Sequence, residues 1–278
     1  MFLGRFLRNL AVLCVFALNL GLVANGPDQN SSQPRLTVWV HGTTIRAVVP
    51  VKIAGFHLES KLFSFKELRP GSLAYRRALA LHQGDSQVFD LDHLYLFRWN
   101  GMLNYQERQK AAQSLYIELQ QKIADIKQQT GQEPLITIIA HSHGGNIILN
   151  LTDLNAKSSS KLVIHNLILL ACPVQNKTAH WIGHETFEKV YVFYSKADWI
   201  QRLALHNGAN LADRKFDQIA GAAGKAVHIS TSWKNYNLWH NDFKGLSFVT
   251  QLPHALRLIN QQLNSLGWSS RQDLLLTV

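Results

Sequence analysis

A serine hydroxyl attacks carbonyl carbon poorly unless the chain forces it into the open beside a base. The run Ile138-Ile139-Ala140-His141-Ser142-His143-Gly144-Gly145-Asn146-Ile147-Ile148 has the composition to do this. Pro134 to Ala140 reads as a short apolar strand buried on both faces, and Ile147, Ile148, Leu151 and Leu154 recur at helical spacing. Between them Ser142 stands where a strand turns sharply into a helix, the arrangement of the G-x-S-x-G nucleophile elbow. Gly144 fills the second glycine position, and Ala140, small enough for strand and helix to approach, stands in the first. A helix starting there also aims unpaired N–H groups and the positive end of its dipole at charge developing near the serine.

The elements around this turn alternate. Arg35 to Val40 reads as a strand ending in His41-Gly42-Thr43-Thr44, and His93 to Trp99 as a second ending in Asn100-Gly101. A long helix from about Tyr105 to Gln129 carries Ala112, Leu115, Leu119, Ile123 and Ile126 as one apolar stripe. After the elbow helix, which runs to about Asn155, further strands are expected at His165 to Ala171, Lys189 to Ser195 and Ala226 to Trp233. A closing helix is expected from Pro253 to about Leu266. This alternation predicts an α/β fold with a mostly parallel central sheet and helices on both faces. The irregular stretch 45–92 is a candidate lid or cap, with a plain supporting helix as the competing reading.

The chain has 278 residues, is 46% hydrophobic and carries a net charge of +10, enough to bury one large core in a single domain spanning 36–278. Arg5 and Arg8, the apolar run Leu10 to Ala24 and the polar stretch that follows have the layout of a secretory signal peptide at 1–26, followed by a linker at 27–35. Export is therefore the expectation, with an uncleaved membrane anchor as the alternative. Cys14 lies in that segment, which leaves Cys172 alone in the mature chain and excludes an internal disulfide. Removing Arg5 and Arg8 leaves a charge of about +8, which favours anionic surfaces such as phospholipid head groups. The basic residues are dispersed without a binding motif, so no nucleic-acid partner is expected. His141-x-His143 brackets the elbow and His180-x-x-x-His184 shows no third ligand, so neither metal nor other cofactor is expected.

These ordered elements resemble the α/β-hydrolases, nearest to the lipase-like serine esterases, over roughly Leu36 to Leu266. The resemblance implies a triad in the order serine, acid, histidine. Ser142 matches the nucleophile. Asp198, which follows Tyr191-Val192-Phe193-Tyr194 and Ser195-Lys196-Ala197, matches the acid turn better than Glu185 or Asp213. His240, in the polar turn Trp239-His240-Asn241-Asp242, matches the base; His254 is the alternative base, and His228 is expected to pack inside its strand. His41-Gly42 resembles the oxyanion loop, so the backbone N–H groups of Thr43 and His143 would hold a developing oxyanion.

The expected activity is hydrolysis of carboxylic esters, lipid or other apolar acyl esters, through an acyl-enzyme on Ser142. An acyltransferase on the same fold and a non-catalytic binding protein that keeps the scaffold are the alternatives.

Overall fold

The structure, a computed structural model, describes residues 33–43, 60–202, 215–216, 219, 222, 224–233, 236–266 and 273–277, all within the unit Gln33–Val278. The expected signal segment at 1–26, most of the expected linker and residues 45–59 of the expected insertion lie outside the described residues.

Nine strands form one sheet. These are β1 (Arg35–Val40), β2 (Lys61–Ser64), β3 (Leu94–Arg98), β4 (Leu135–His141), β5 (Ile164–Leu170), β6 (Phe187–Tyr194), β7 (Ala226–Trp233), β8 (Tyr236–Asn237) and β9 (Asp273–Thr277). Their order is β2-β3-β1-β4-β5-β6-β7-β8, with β9 also on β7. Only β2 and β8 run antiparallel to their neighbours. The described helices of eight or more residues are α1 (Leu73–Gly84), α2 (Tyr105–Thr130), α3 (His143–Lys157) and α4 (Leu246–Leu266).

The period of two along each strand divides the core into two layers. Val38, Val40, Ile138, Ala140, Leu167, Leu169, Val190 and Val192 face the layer that holds Ala112, Leu115 and Leu119 of α2 and Ile147, Ile148 and Leu151 of α3. Trp39, Ile139, Ile168, Leu170, Tyr191 and Phe193 face the opposite layer, with Ala78 and Leu81 of α1 and Leu252, Leu256 and Ile259 of α4. Both faces of the sheet are therefore covered, as the apolar runs of the central strands require.

Of the 45–92 insertion the structure describes 60–92: there β2 pairs with β3 at the sheet edge, and α1 packs against α4, so tightly that a Cβ on Gly84 would lie 2.6 Å from the Pro253 ring. The closing helix begins at Leu246 rather than at Pro253, which sits inside it. An interior proline costs about 3 kcal/mol. Burial of Phe248, Val249 and Leu252 on the same face as Leu256, Ile259 and Leu263 offsets that cost and carries the helix through it.

Candidate active site

The carboxyl ends of the central strands converge on Ser142. Beyond the strand ends the ladder continues for one more bond on each side: the Ser142 N–H donates to the Leu170 carbonyl at 2.8 Å, and the Ala171 N–H to the Phe193 carbonyl at 2.9 Å. Ser142 takes φ 54° and ψ −132°, a backbone that costs a side-chain-bearing residue of order 1–3 kcal/mol. Three glycines make room for it. A Cβ on Gly42 would lie 2.7 Å from Ser142 Cβ, one on Gly144 would lie 2.7 Å from the His41 carbonyl oxygen, and one on Gly145 would overlap Cys172 Sγ. The elbow motif pointed to Gly144; the close approaches at Gly42 and Gly145 emerge only when β1 and the residues after β5 are placed beside it.

Asp198 sits in the turn after β6, where its N–H donates to the Ser195 carbonyl at 3.2 Å. Its carboxylate is buried, with Oδ1 accepting the Gln201 N–H at 3.0 Å. Gln201 is fixed in turn, because its side-chain amide donates to the Cys172 carbonyl at 2.7 Å. His240 follows β8 in a turn closed by two bonds: the Trp239 N–H donates to Asp242 Oδ2 at 2.7 Å, and the Asp242 N–H to the Trp239 carbonyl at 2.9 Å.

Those turns bring the three side chains into one line. His240 Nδ1 lies 2.8 Å from Asp198 Oδ2, and His240 Nε2 lies 2.8 Å from Ser142 Oγ. An ionised carboxylate only accepts, so Nδ1–H donates to Asp198, which leaves Nε2 as acceptor for the serine hydroxyl. This is the tautomer that can take a proton from Oγ while the carboxylate steadies the resulting imidazolium. The strand-to-helix elbow and its place in the mostly parallel sheet decide the architecture. The fold is α/β, a mostly parallel sheet covered on both faces, with the strand-to-helix elbow that marks the α/β-hydrolase arrangement.

Among solved structures it is similar to a gene product of Listeria innocua, at 10% identity and TM-score 0.42 over 88% of this chain and 99% of the other. It is also similar to a hyperthermophilic esterase from the archaeon Pyrobaculum calidifontis, at 11% identity and TM-score 0.38 over 82% and 76%. A lipase-esterase related protein from Clostridium acetobutylicum matches at 12% identity and TM-score 0.31 over 85% and 96%. No protein-family model and no curated protein matches the sequence.

The other sequence candidates fall outside this line. His254 points to solvent from the middle of α4, because that helix starts earlier than expected, and Glu185 is exposed. Asp213 lies outside the described residues. His228 is buried in β7, where its Nε2 accepts the Phe216 N–H at 2.9 Å. His180 is exposed and His184 accepts at Nδ1 from Thr186. Among the described residues no group of three or more His, Cys, Asp or Glu side chains could hold a metal ion. Burial pushes the Cys172 thiol far above its ordinary range, which keeps it from thiolate chemistry.

Around the triad stands a set of supports that sequence alone did not disclose. His41 Nδ1–H donates to the Gly42 carbonyl at 2.6 Å, and the Trp99 indole N–H donates to the His41 carbonyl at 2.8 Å, so the loop after β1 is tied to β3. Thr43 Oγ1 beside it is buried without a partner among the described residues. Gln175 links the buried Arg108 guanidinium, at 3.1 Å, to His143 Nδ1, at 3.4 Å. Arg77 of α1 donates from Nε to the Lys244 carbonyl at 2.7 Å.

His141 holds the other end of that turn. Its Nε2 lies 2.9 Å from the His240 carbonyl oxygen, which can only accept, so the proton is on Nε2. Burial holds its pKa well below the ordinary histidine range, and the neighbouring His240, Lys244 and Arg77 charges push the same way. The ring is therefore neutral and Nδ1 bears no proton, in keeping with its having no partner among the described residues.

Proposed function

We propose that this chain is a serine hydrolase that cleaves carboxylic esters with apolar acyl groups through an acyl-enzyme on Ser142. The observation that carries the reading is the pair of 2.8 Å contacts from His240, one to Ser142 Oγ and one to Asp198 Oδ2, at a strained strand-to-helix turn.

The steps follow from the geometry. His240 Nε2 takes the hydroxyl proton as Ser142 Oγ attacks the ester carbonyl, and Asp198 stabilises the imidazolium. In this reading the backbone N–H of His143, first in α3, and that of Thr43 donate to the oxygen that becomes negative. The imidazolium then protonates the departing alcohol. Water, deprotonated by the same ring, releases the acid and restores the serine. The residue Ser142 is only 5% exposed and Asp198 fully enclosed, so these charges act in a medium of low polarity, where each bond to the developing oxyanion counts for more.

The test is turnover of short- and long-chain p-nitrophenyl esters by wild type, Ser142→Ala and Asp198→Asn. Wild type is expected to turn over at least one chain length. Ser142→Ala should be inactive, and Asp198→Asn should lose on the order of 10⁴-fold in kcat, since Asn stabilises the wrong tautomer. Equal rates for all three proteins would overturn the reading.

A further inference from the structure

Next to both inward-facing members of the triad, the chain turns large apolar side chains outward. Asp198 is fully buried, yet Trp199 is 51% exposed and Ile200 is 41% exposed. His240 is buried, yet Trp239 is 54% exposed, and Tyr236, in β8 just before that turn, is 53% exposed. Asp198 and His240 are joined by a 2.8 Å bond, so the two segments that carry these four residues meet at the site. Most of the other exposed large apolar residues, such as Ile117, Val163 and Leu275, are scattered over separate elements.

We propose that this rim docks the protein on an anionic lipid surface, with the mouth of the triad facing the lipid. The inference deepens the ester-hydrolase reading, since it names where an apolar ester would be met. Tryptophan and tyrosine, apolar in body and polar at one edge, suit the boundary between water and hydrocarbon better than either phase alone. The charge matches as well. Exposed Lys196 stands two residues before Asp198, and half-buried Lys244 follows the His240 turn with no acidic partner among the described residues. The two acids on these turns, Asp198 and Asp242, are taken up by His240 and by the Trp239 N–H. A net charge of +10 adds long-range attraction to an anionic bilayer. Because the docking residues sit on the same short turns as the acid and the base, contact with lipid would be made by the frame of the site itself.

Vesicle co-sedimentation of the full chain tests this, with phosphatidylcholine vesicles with and without phosphatidylglycerol. Wild type and the double variant Trp199→Ser/Trp239→Ser carry the same N-terminal segment, so their difference reads the rim. Wild type is expected to bind the anionic vesicles more tightly than the neutral ones, and the double variant to lose roughly tenfold or more in partitioning. A melting curve at the wild-type Tm shows that the double variant is folded, so that its loss of vesicle binding reads the rim. Equal vesicle binding by both proteins, or none by wild type, would overturn the proposal, the second result pointing to a protein partner for the rim. Binding is read without catalysis, so an inactive but vesicle-bound wild type would sink the hydrolase reading and leave the docking surface standing.

Discussion

At the scale of single residues, the site works by fixing imidazole rings rather than by supplying unusual groups. His240 has both ring nitrogens engaged, and its backbone carbonyl is held by His141, the residue immediately before the serine. Ser142 and His240 are thus coupled twice, once through Oγ and once through the His240 carbonyl held by His141. Replacing His141 by Phe keeps the ring volume and removes the donor. The expected result is a fall in kcat on the order of 10–100-fold with KM little changed, since a base displaced by less than an ångström loses proton transfer before it loses substrate binding. His141→Gln retains an N–H and is expected to recover most of that loss. Steady-state kinetics beside a melting curve distinguish this from simple destabilisation, which would lower both variants in proportion to their loss of Tm. The same close quarters rule the glycines: Gly144→Ala forces a methyl against the His41 and Val40 carbonyl oxygens, groups that cannot rotate away. It should cost about 1–3 kcal/mol in denaturant unfolding.

At the scale of elements, each of the three proposed catalytic side chains follows a strand: Ser142 comes after β4, Asp198 after β6 and His240 after the antiparallel β7–β8 hairpin. That is why so much could be read in advance. Apolar runs such as Leu135–His141 and Phe187–Tyr194 announce buried strands, and a polar turn after each is where side chains meet solvent and substrate. What stayed hidden depends on partners distant in sequence. Leu62 and Phe63 gave no sign of joining β3 as an antiparallel edge, because a four-residue strand has too few alternations to be recognised. Asp273–Thr277, three leucines in a row, pairs with β7 in parallel and offers no period at all. Pro253 suggested a helix start, and only packing against Gly84 shows it to be a contact point inside α4. Gly84→Val is expected to pry α1 from α4 and lower stability by about 1–3 kcal/mol, and to weaken activity through Arg77, which reaches from α1 to the His240 turn. Thermal melts and ester kinetics on that variant check both effects.

At the scale of the whole molecule, charge state and fold are linked. His41, His141 and His184 are all held below the ordinary histidine pKa of 6.5, chiefly by burial, and His165 likewise. In the unfolded chain these rings take up protons near pH 6.5, while in the folded chain they resist. The unfolded state therefore binds more protons under acid conditions, and stability falls as pH drops below about 6.5. Denaturant midpoints at pH 7.5 and pH 5.5 should show that loss, and His141→Gln, which removes the most deeply buried of these rings, should flatten it. In the proposed docking, basic charge and outward tryptophans act at the same scale, directing the face that carries the triad toward anionic lipid. All of this presumes an activated serine, and a fluorophosphonate probe reads that most directly. The account predicts covalent labelling of the wild-type protein at Ser142, located by peptide mass, and none in His240→Ala that retains a wild-type melting curve. Folded wild-type protein that stays unlabelled, or labelling that survives the loss of His240 undiminished, would contradict it.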